Sequence, residues 1–269
     1  MNSTTLWGRF KTPDGRTGFG TLQGSLIAEY TGAMFDMPRP SGNHIDAAQV
    51  TWIAPCVPSK MIALWNNFRA LSAKLGKQAP AHPLYLIKPG TSIIGPGDPI
   101  RRPAHYSGKI AYEGELGIVI GRECKDATVS EARECIFGYT CVNDVTAADI
   151  LNETPDFAQW TRAKGFDTFG AIGPFIASDL DWPNARVITR LAGNERQNYL
   201  LSDMIIPPAD LVTLLSRDMT LLPGDVIACG TSLGVGSIRD EAEVEVSIQD
   251  IGSLRNILTP CAMSNASVA

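Results

Sequence analysis

Glu113 and Glu115 stand two residues apart in Tyr112-Glu-Gly-Glu-Leu116, inside an apolar run that reads as a strand over Tyr112 to Ile120. On a strand, residues i and i+2 share a face. The two carboxylates would therefore lie side by side while Leu116, Ile118 and Ile120 face the core. Adjacent carboxylates repel unless one is protonated or a cation sits between them. A third, Asp144, ends a second strand candidate, Phe137 to Val142 continuing into Asn143-Asp144, and could reach the same point. Three oxygen ligands without His or Cys select a hard cation, Mg2+ or Mn2+. On spacing alone, a solvated acidic strand face is the commoner arrangement.

Arg162-Ala-Lys164-Gly-Phe-Asp167 interleaves cations, an acid and an aromatic ring. It reads either as an ordinary surface turn or as a rim for an anionic substrate, with Lys164 offsetting the charge of a carboxylate or enolate. A Schiff-base role for Lys164 would need a depressed pKa. Gly230-Thr-Ser-Leu-Gly234 matches the G-x-S-x-G elbow of serine hydrolases, which requires a helix after the serine and a later histidine. Gly234-Val-Gly236 follows instead, and His105 is the last histidine in the chain. A Gly-rich turn that brings backbone amides and the Thr231 hydroxyl near an anion fits better. Cys141 and Cys229 lie in apolar strands and read as packing residues rather than nucleophiles. His82 and His105 lie in Pro-rich stretches and read as surface-loop residues.

The elements that must position these groups are mostly short strands. Residues 1–58 read as a small β-rich N-terminal lobe, with strand-like pieces at Trp7 to Phe10 and Leu22 to Tyr30 and a loop at Met37-Pro-Arg-Pro-Ser-Gly-Asn43. Residues 59–269 form the second unit. Met61 to Trp65 and Leu84 to Lys88 are strand candidates, separated by a helical piece from Phe68 to Leu75 that Gly76 ends. Thr128-Val-Ser-Glu131 fits a capping box, so a helix should cover Glu131 to Ile136. Arg186 to Leu191 and Glu195 to Leu200 flank Gly193-Asn194, a hairpin signature. Pro208 opens a helix with Leu211, Leu214, Leu215 and Met219 on one face. Val226 to Cys229 and Glu241 to Ile248 are further strands. The pattern predicts an α+β, β-dominated domain rather than a doubly wound sheet.

The 269 residues are 44% hydrophobic and 19% charged, with a formal net charge of -5, an ordinary globular balance. No basic block points to nucleic acid or an anionic membrane surface. The longest apolar runs fall far short of the roughly 18 residues that span a bilayer. Arg9, Lys11 and Asp14 interrupt the N-terminal stretch, which reads against a signal peptide, so the cytoplasm is the expected location. Six cysteines without C-x-x-C and three histidines exclude zinc ribbons, fingers and H-E-x-x-H proteases.

Four segments taken together resemble the fumarylacetoacetate hydrolase superfamily. They are Ala111 to Gly121, Phe137 to Ala147, Trp160 to Pro174 and Pro223 to Gly236, in the right order and within roughly residues 60 to 258. The resemblance implies a mixed β-roll catalytic domain, usually a homodimer, with one Mg2+ or Mn2+ on Glu113, Glu115 and Asp144. It matches Lys164 to the active-site lysine. It matches Thr231 to the threonine of a Gly-Thr-Pro turn that contacts the substrate carboxylate; Ser232 stands here in place of that proline. The implied substrates are small 2-oxo or 2-hydroxydienoic acids, often dicarboxylates from aromatic-ring breakdown, and Arg69 or Lys88 could meet the distal carboxylate.

Hydrolytic members resemble Asn-Tyr-Arg-Asp-His-Ala-x-Glu after the strand that matches Met61 to Trp65, where His and Glu activate water. This chain reads Asn67-Phe-Arg-Ala-Leu71-Ser-Ala-Lys74, with Leu71 and Lys74 at the His and Glu positions. Losing a general base commonly costs about 10²–10⁴ in rate. Polarisation of a 2-oxo acid still serves tautomerisation, isomerisation or decarboxylation. The resemblance is therefore to the branch that isomerises or decarboxylates 2-hydroxyhepta-2,4-diene-1,7-dioate and its carboxylated precursor. Two alternatives stand beside it. One is an acylpyruvate-type C–C hydrolase using a displaced base such as His82. The other is a catalytically silent metal-binding homologue.

Overall fold

The computed structural model describes residues 4–261. Strands dominate it. In the N-terminal part they are β1 (Leu6–Lys11), β2 (Thr17–Gln23), β3 (Leu26–Ala33), β4 (Asp36–Asp46) and β5 (Thr51–Ile53). Next come β6 (Met61–Trp65), α1 (Arg69–Lys74), β7 (Leu84–Lys88), β8 (Ile93–Ile94), β9 (Ile100–Arg101), β10 (Ile110–Tyr112) and β11 (Gly114–Ile120). Then follow α2 (Val129–Cys135), β12 (Ile136–Asp144), β13 (Thr146–Ala147), α3 (Trp160–Lys164), β14 (Gly170–Ala177), β15 (Arg186–Leu191) and β16 (Asn194–Leu200). The last are α4 (Pro208–Asp218), β17 (Val226–Ala228), β18 (Gly236–Ile238), β19 (Glu243–Ile248) and β20 (Gly252–Thr259).

Ten strands run in the order β4-β3-β2-β1-β14-β12-β11-β17-β6-β7, with β5 added on β1 and β8 on β14. A second sheet orders β16-β15-β19-β20-β9, and a small one β13-β10-β18. The N-terminal strands are not a separate layer: β1 pairs with β14, so they extend the sheet that carries the carboxylates.

β11 is buried along its whole length because both of its faces meet apolar layers. Leu116, Ile118 and Ile120 belong to the larger core, and Val119 to a smaller one with Met61, Ala63, Leu86, Val142 and Val226. Each fully buried aliphatic side chain of this kind contributes about 1.5–3 kcal/mol. Glu115 shares the Val119 face, and Asp144 the Val142 face, so both acids extend the smaller core rather than meeting solvent.

Three expectations change. The Met37 to Asn43 loop is part of β4, an outermost strand, where Pro38 and Pro40 are tolerated because one edge needs no donors. The strand expected over Leu22 to Tyr30 turns at Gly24, whose φ of 63° closes the β2–β3 hairpin. The strand expected over Tyr112 to Ile120 breaks at Glu113, because β10 leaves to pair with β13 and β18 while β11 joins the main sheet. The Thr128 capping box forms as expected and starts α2 at Val129.

Candidate active site

The break at Glu113 builds the site. The Glu113 amide donates to Asn143 Oδ1 at 3.1 Å, and its carbonyl accepts the Asp144 amide at 2.9 Å. Gly114 has to be glycine: an added Cβ would lie 2.0 Å from Thr189 Oγ1. The Gly114 amide donates to Gln197 Oε1 at 3.0 Å, and its carbonyl accepts Tyr199 OH at 2.6 Å and Thr231 Oγ1 at 3.0 Å. Gln197 Nε2 donates to Thr231 Oγ1 at 2.8 Å. Two residues of β16 and the Thr231 turn thus hold the two glutamates in place from behind.

Glu113, Glu115 and Asp144 each offer an oxygen within 4.8 Å of the others. Lys164 Nζ joins them, donating to Asp144 Oδ2 at 2.6 Å, Glu113 Oε1 at 2.7 Å and Thr146 Oγ1 at 2.7 Å. Thr146 Oγ1 donates to Glu113 Oε1 at 2.6 Å. Lys88 Nζ takes the other Asp144 oxygen, Oδ1, at 2.5 Å and also reaches Val145 O at 3.3 Å. Glu115 Oε2 accepts the Gly230 amide at 2.8 Å, whereas its Oε1 is buried with no hydrogen-bond partner. Gly230 has φ 88°, and an added Cβ there would press on Leu64 O at 3.2 Å, so glycine lets the backbone approach the carboxylate.

Electrostatics divide the acids. Burial, reinforced by the Asp144 and Glu113 charges, pushes the Glu115 carboxyl well above its usual range, and Lys164 and the Gly230 amide do not offset this. Burial also works to raise Asp144, but the Lys164 and Lys88 ammoniums outweigh it and hold that carboxyl below its ordinary value. Burial would lower Lys164, yet Asp144, Glu113 and Glu115 carry it above the ordinary lysine range. Lys164 is therefore a fixed cation here, which rules against a Schiff-base nucleophile in this arrangement. Lys88 is lowered by burial, which Asp144 only partly offsets.

The structure brings Glu113, Glu115, Asp144 and Lys164 together, removes Lys88 from its expected role and gives Arg69 and Thr231 partners within the protein. Lys88 is fully buried and spent on Asp144, so it cannot meet a substrate's distal carboxylate. Arg69 is turned onto backbone carbonyls, donating to Met204 O at 2.5 Å and Ser202 O at 3.4 Å. The single Thr231 donor points at the Gly114 carbonyl rather than outward. Leu71 packs on the core and Lys74 is exposed, so α1 offers no general base at these positions. His44, His82 and His105 are all exposed. Cys56, Cys124, Cys135, Cys141 and Cys229 are buried, and burial pushes Cys56 up to about 12. Sequence reasoning missed Thr146, Gln197 and Tyr199. Thr146 was within reach of it, since it stands two residues beyond Asp144.

A family model described as "Fumarylacetoacetate (FAA) hydrolase C-terminal" matches residues 60–259 and so includes every residue of this cluster. The chain belongs to the fumarylacetoacetate hydrolase family. A second model, "Rv2993c-like, N-terminal", matches residues 6–55. Protein Rv2993c of Mycobacterium tuberculosis is 40% identical over 262 residues, 93% of this chain and 96% of that protein. The oxaloacetate tautomerase YisK of Bacillus subtilis is 34% identical over 212 residues, 74% of this chain and 69% of that protein. Among solved structures, the 2-hydroxyhepta-2,4-diene-1,7-dioate isomerase of Mycobacterium marinum aligns with a TM-score of 0.86 at 38% identity, covering 96% of this chain and 99% of that one. The maleylpyruvate hydrolase of Sphingobium sp. SYK-6, in complex with manganese(II) and pyruvate, aligns with a TM-score of 0.75 at 25% identity, covering 96% of this chain and 100% of that one. Isomerase and tautomerase relatives of this kind support an enzyme of enolate chemistry. Among the described residues no helix is long and apolar enough to cross a membrane.

Proposed function

We propose that this family member is a divalent-metal-dependent tautomerase or isomerase of 2-oxo acids. The observation that carries the reading is the Glu113, Glu115 and Asp144 set, half-buried at Glu113 and fully buried at the other two, with Lys164 among its oxygens. The residues fit a hard cation on their own chemistry. All three donors are carboxylates, and the buried Glu115 Oε1 has no other partner. Mg2+ and Mn2+ both suit such a donor set. Bound there, the cation would supply Lewis acidity that eases loss of a proton from C3 of a 2-oxo acid.

This chain's own groups do the rest. Lys164 presents a permanent positive charge beside Glu113, where it offsets negative charge developing on the substrate. Lys88 and Gln197 keep the acids in position from behind. α1 lacks a base that could activate an attacking water, which favours proton transfer within the substrate over C–C hydrolysis. Tautomerisation and isomerisation move a proton between carbon and oxygen or between carbons, and nothing else leaves. Decarboxylation needs the same polarised 2-oxo group and is the neighbouring possibility. A homodimer acting in the cytoplasm on a small 2-oxo acid belongs to the same proposal.

The test is disappearance of the enol absorbance of oxaloacetate and phenylpyruvate with Mg2+ or Mn2+ present, beside cleavage of acetylpyruvate. Turnover of either enol that EDTA removes and Lys164→Met lowers at least about 100-fold supports the reading. Turnover indifferent to EDTA, or acetylpyruvate cleavage in its place, contradicts it.

A further inference from the structure

A groove of about 310 Å³ is lined by Trp65, Leu84, Tyr85, Leu86 and Trp160. Its volume lies at the small end of the range for ligand sites, about 300–1,000 Å³. Two lines of geometry tie it to the carboxylates. First, Ala63 pairs with Ala228 and Ala228 with Gly117, so these three form one row across β6, β17 and β11. Two residues further lie Trp65 on β6 and Glu115 on β11, and between them, just past the end of β17, the Gly230 amide donates to Glu115 Oε2 at 2.8 Å. Trp65 therefore stands two strand spacings, about 10 Å, from Glu115 and on the same face. Second, Trp160 precedes Lys164 by four residues on α3, so the two side chains share one side of that helix. The rings of Trp65 and Trp160 meet with centroids 5.4 Å apart. The groove therefore lies on the same face of the sheet as Glu115, at a distance of about 10 Å, and runs to the outer edge of β7, where Leu84 is 41% and Tyr85 37% exposed.

Its lining carries no charge. Tyr85 lies at its edge, with its hydroxyl beside the Asp218 carboxylate. Neither cation expected for a distal carboxylate lines it: Lys88 is paired with Asp144, and Arg69 Nη1 lies on the Met204 and Ser202 carbonyls. A second carboxylate placed here would be stripped of water with no counter-ion, whereas an aromatic or aliphatic group would bury against two indoles.

Resting on the functional reading above, we propose that this groove is the distal substrate subsite, and that it selects 2-oxo acids with an uncharged, preferably aromatic tail over dicarboxylates. The experiment compares kcat/KM for the enols of phenylpyruvate and oxaloacetate with Mg2+ present, in wild type, Leu84→Arg and Trp160→Phe. A single methylene in an apolar pocket is worth about 10–200-fold in discrimination, and an aromatic tail buries more than that. Wild type is expected to favour phenylpyruvate at least about tenfold. Leu84→Arg, at an exposed edge position that tolerates a long polar side chain, is expected to cut that ratio at least about tenfold by admitting the dicarboxylate, with Trp160→Phe in between. A wild-type preference for oxaloacetate, or a ratio unmoved by both variants while both enols are turned over, overturns the subsite and leaves the reaction class standing. Turnover of neither enol overturns the reaction class and the subsite together. A change in sedimentation of Leu84→Arg with no change in the ratio marks the groove as a contact between copies and also overturns it.

Discussion

Replacing Glu115 with Gln separates metal binding from folding because the two effects have opposite signs. In the metal-free protein, Glu115 is fully buried, accepts one bond from the Gly230 amide and has an unpartnered Oε1 beside two other carboxylates. An unsatisfied buried polar atom costs about 1–3 kcal/mol, and more when charged. In Glu115→Gln the amide oxygen keeps the Gly230 bond, while the NH2 replaces the orphan oxygen and donates to the neighbouring acids. The variant should therefore be about 1–3 kcal/mol more stable in EDTA, or roughly 2–12 °C higher in Tm. The pH dependence has a definite sign. The folded-state pKa of Glu115 lies above its unfolded value of about 4.3. The folded state thus binds the extra proton, and wild-type stability falls as pH rises from about 4.3 towards the folded value. Glu115→Gln removes that slope. With a divalent ion at 100 times its Kd, wild type gains about 2.7 kcal/mol, and the variant should gain almost none. Thermal unfolding at pH 5 and pH 8, in EDTA and in Mn2+, reads all four conditions. A variant less stable than wild type in EDTA, or stabilised equally by Mn2+, refutes the reasoning.

Other substitutions probe the supporting layer. Lys88→Met leaves Asp144 Oδ1 buried without its ammonium and should cost about 3–5 kcal/mol in urea denaturation; a loss below about 1 kcal/mol contradicts the pairing. Gly114→Ala forces a Cβ into Thr189 Oγ1 and should cost about 1–3 kcal/mol while lowering turnover, measured by circular dichroism and enol decay. Glu29 accepts bonds from Asn43 Nδ2 at 2.9 Å and Arg16 Nη1 at 2.5 Å, which hold its carboxyl below the usual value despite burial. Its contribution is present above the unfolded pKa of about 4.3 and is lost as pH falls through the folded value. Glu29→Gln should therefore cost about 1 kcal/mol at pH 7, with the difference from wild type vanishing at low pH in chemical denaturation.

The chemistry was more legible than the geometry behind it. Glu113, Glu115, Asp144 and Lys164 could be singled out because two acids at strand spacing can share a cation, and the motif order around them resembled a known family, which tipped the reading away from a solvated acidic face. Lys88 was singled out with the wrong role, since nothing in Leu84-Tyr-Leu-Ile-Lys88 shows that its ammonium turns inward to Asp144. Gln197 and Tyr199 stayed hidden because a polar residue on an alternating strand looks exposed until the opposing element is known. The strand break at Glu113 was illegible for a related reason: the residues on either side are equally strand-like, and only their different partners divide them. β4 was missed because its prolines signal a loop unless the strand is known to lie at a sheet edge.

The most direct measurement is anomalous diffraction from crystals grown with Mn2+, on wild type and Glu115→Gln. The expected result is one manganese peak per chain in the wild type, about 2.0–2.4 Å from oxygens of Glu113, Glu115 and Asp144, and no such peak in the variant. Saturating Mn2+ that leaves these three acids with only protein groups for partners, or that binds elsewhere on the chain, would contradict the metal centre on which the enolate chemistry depends.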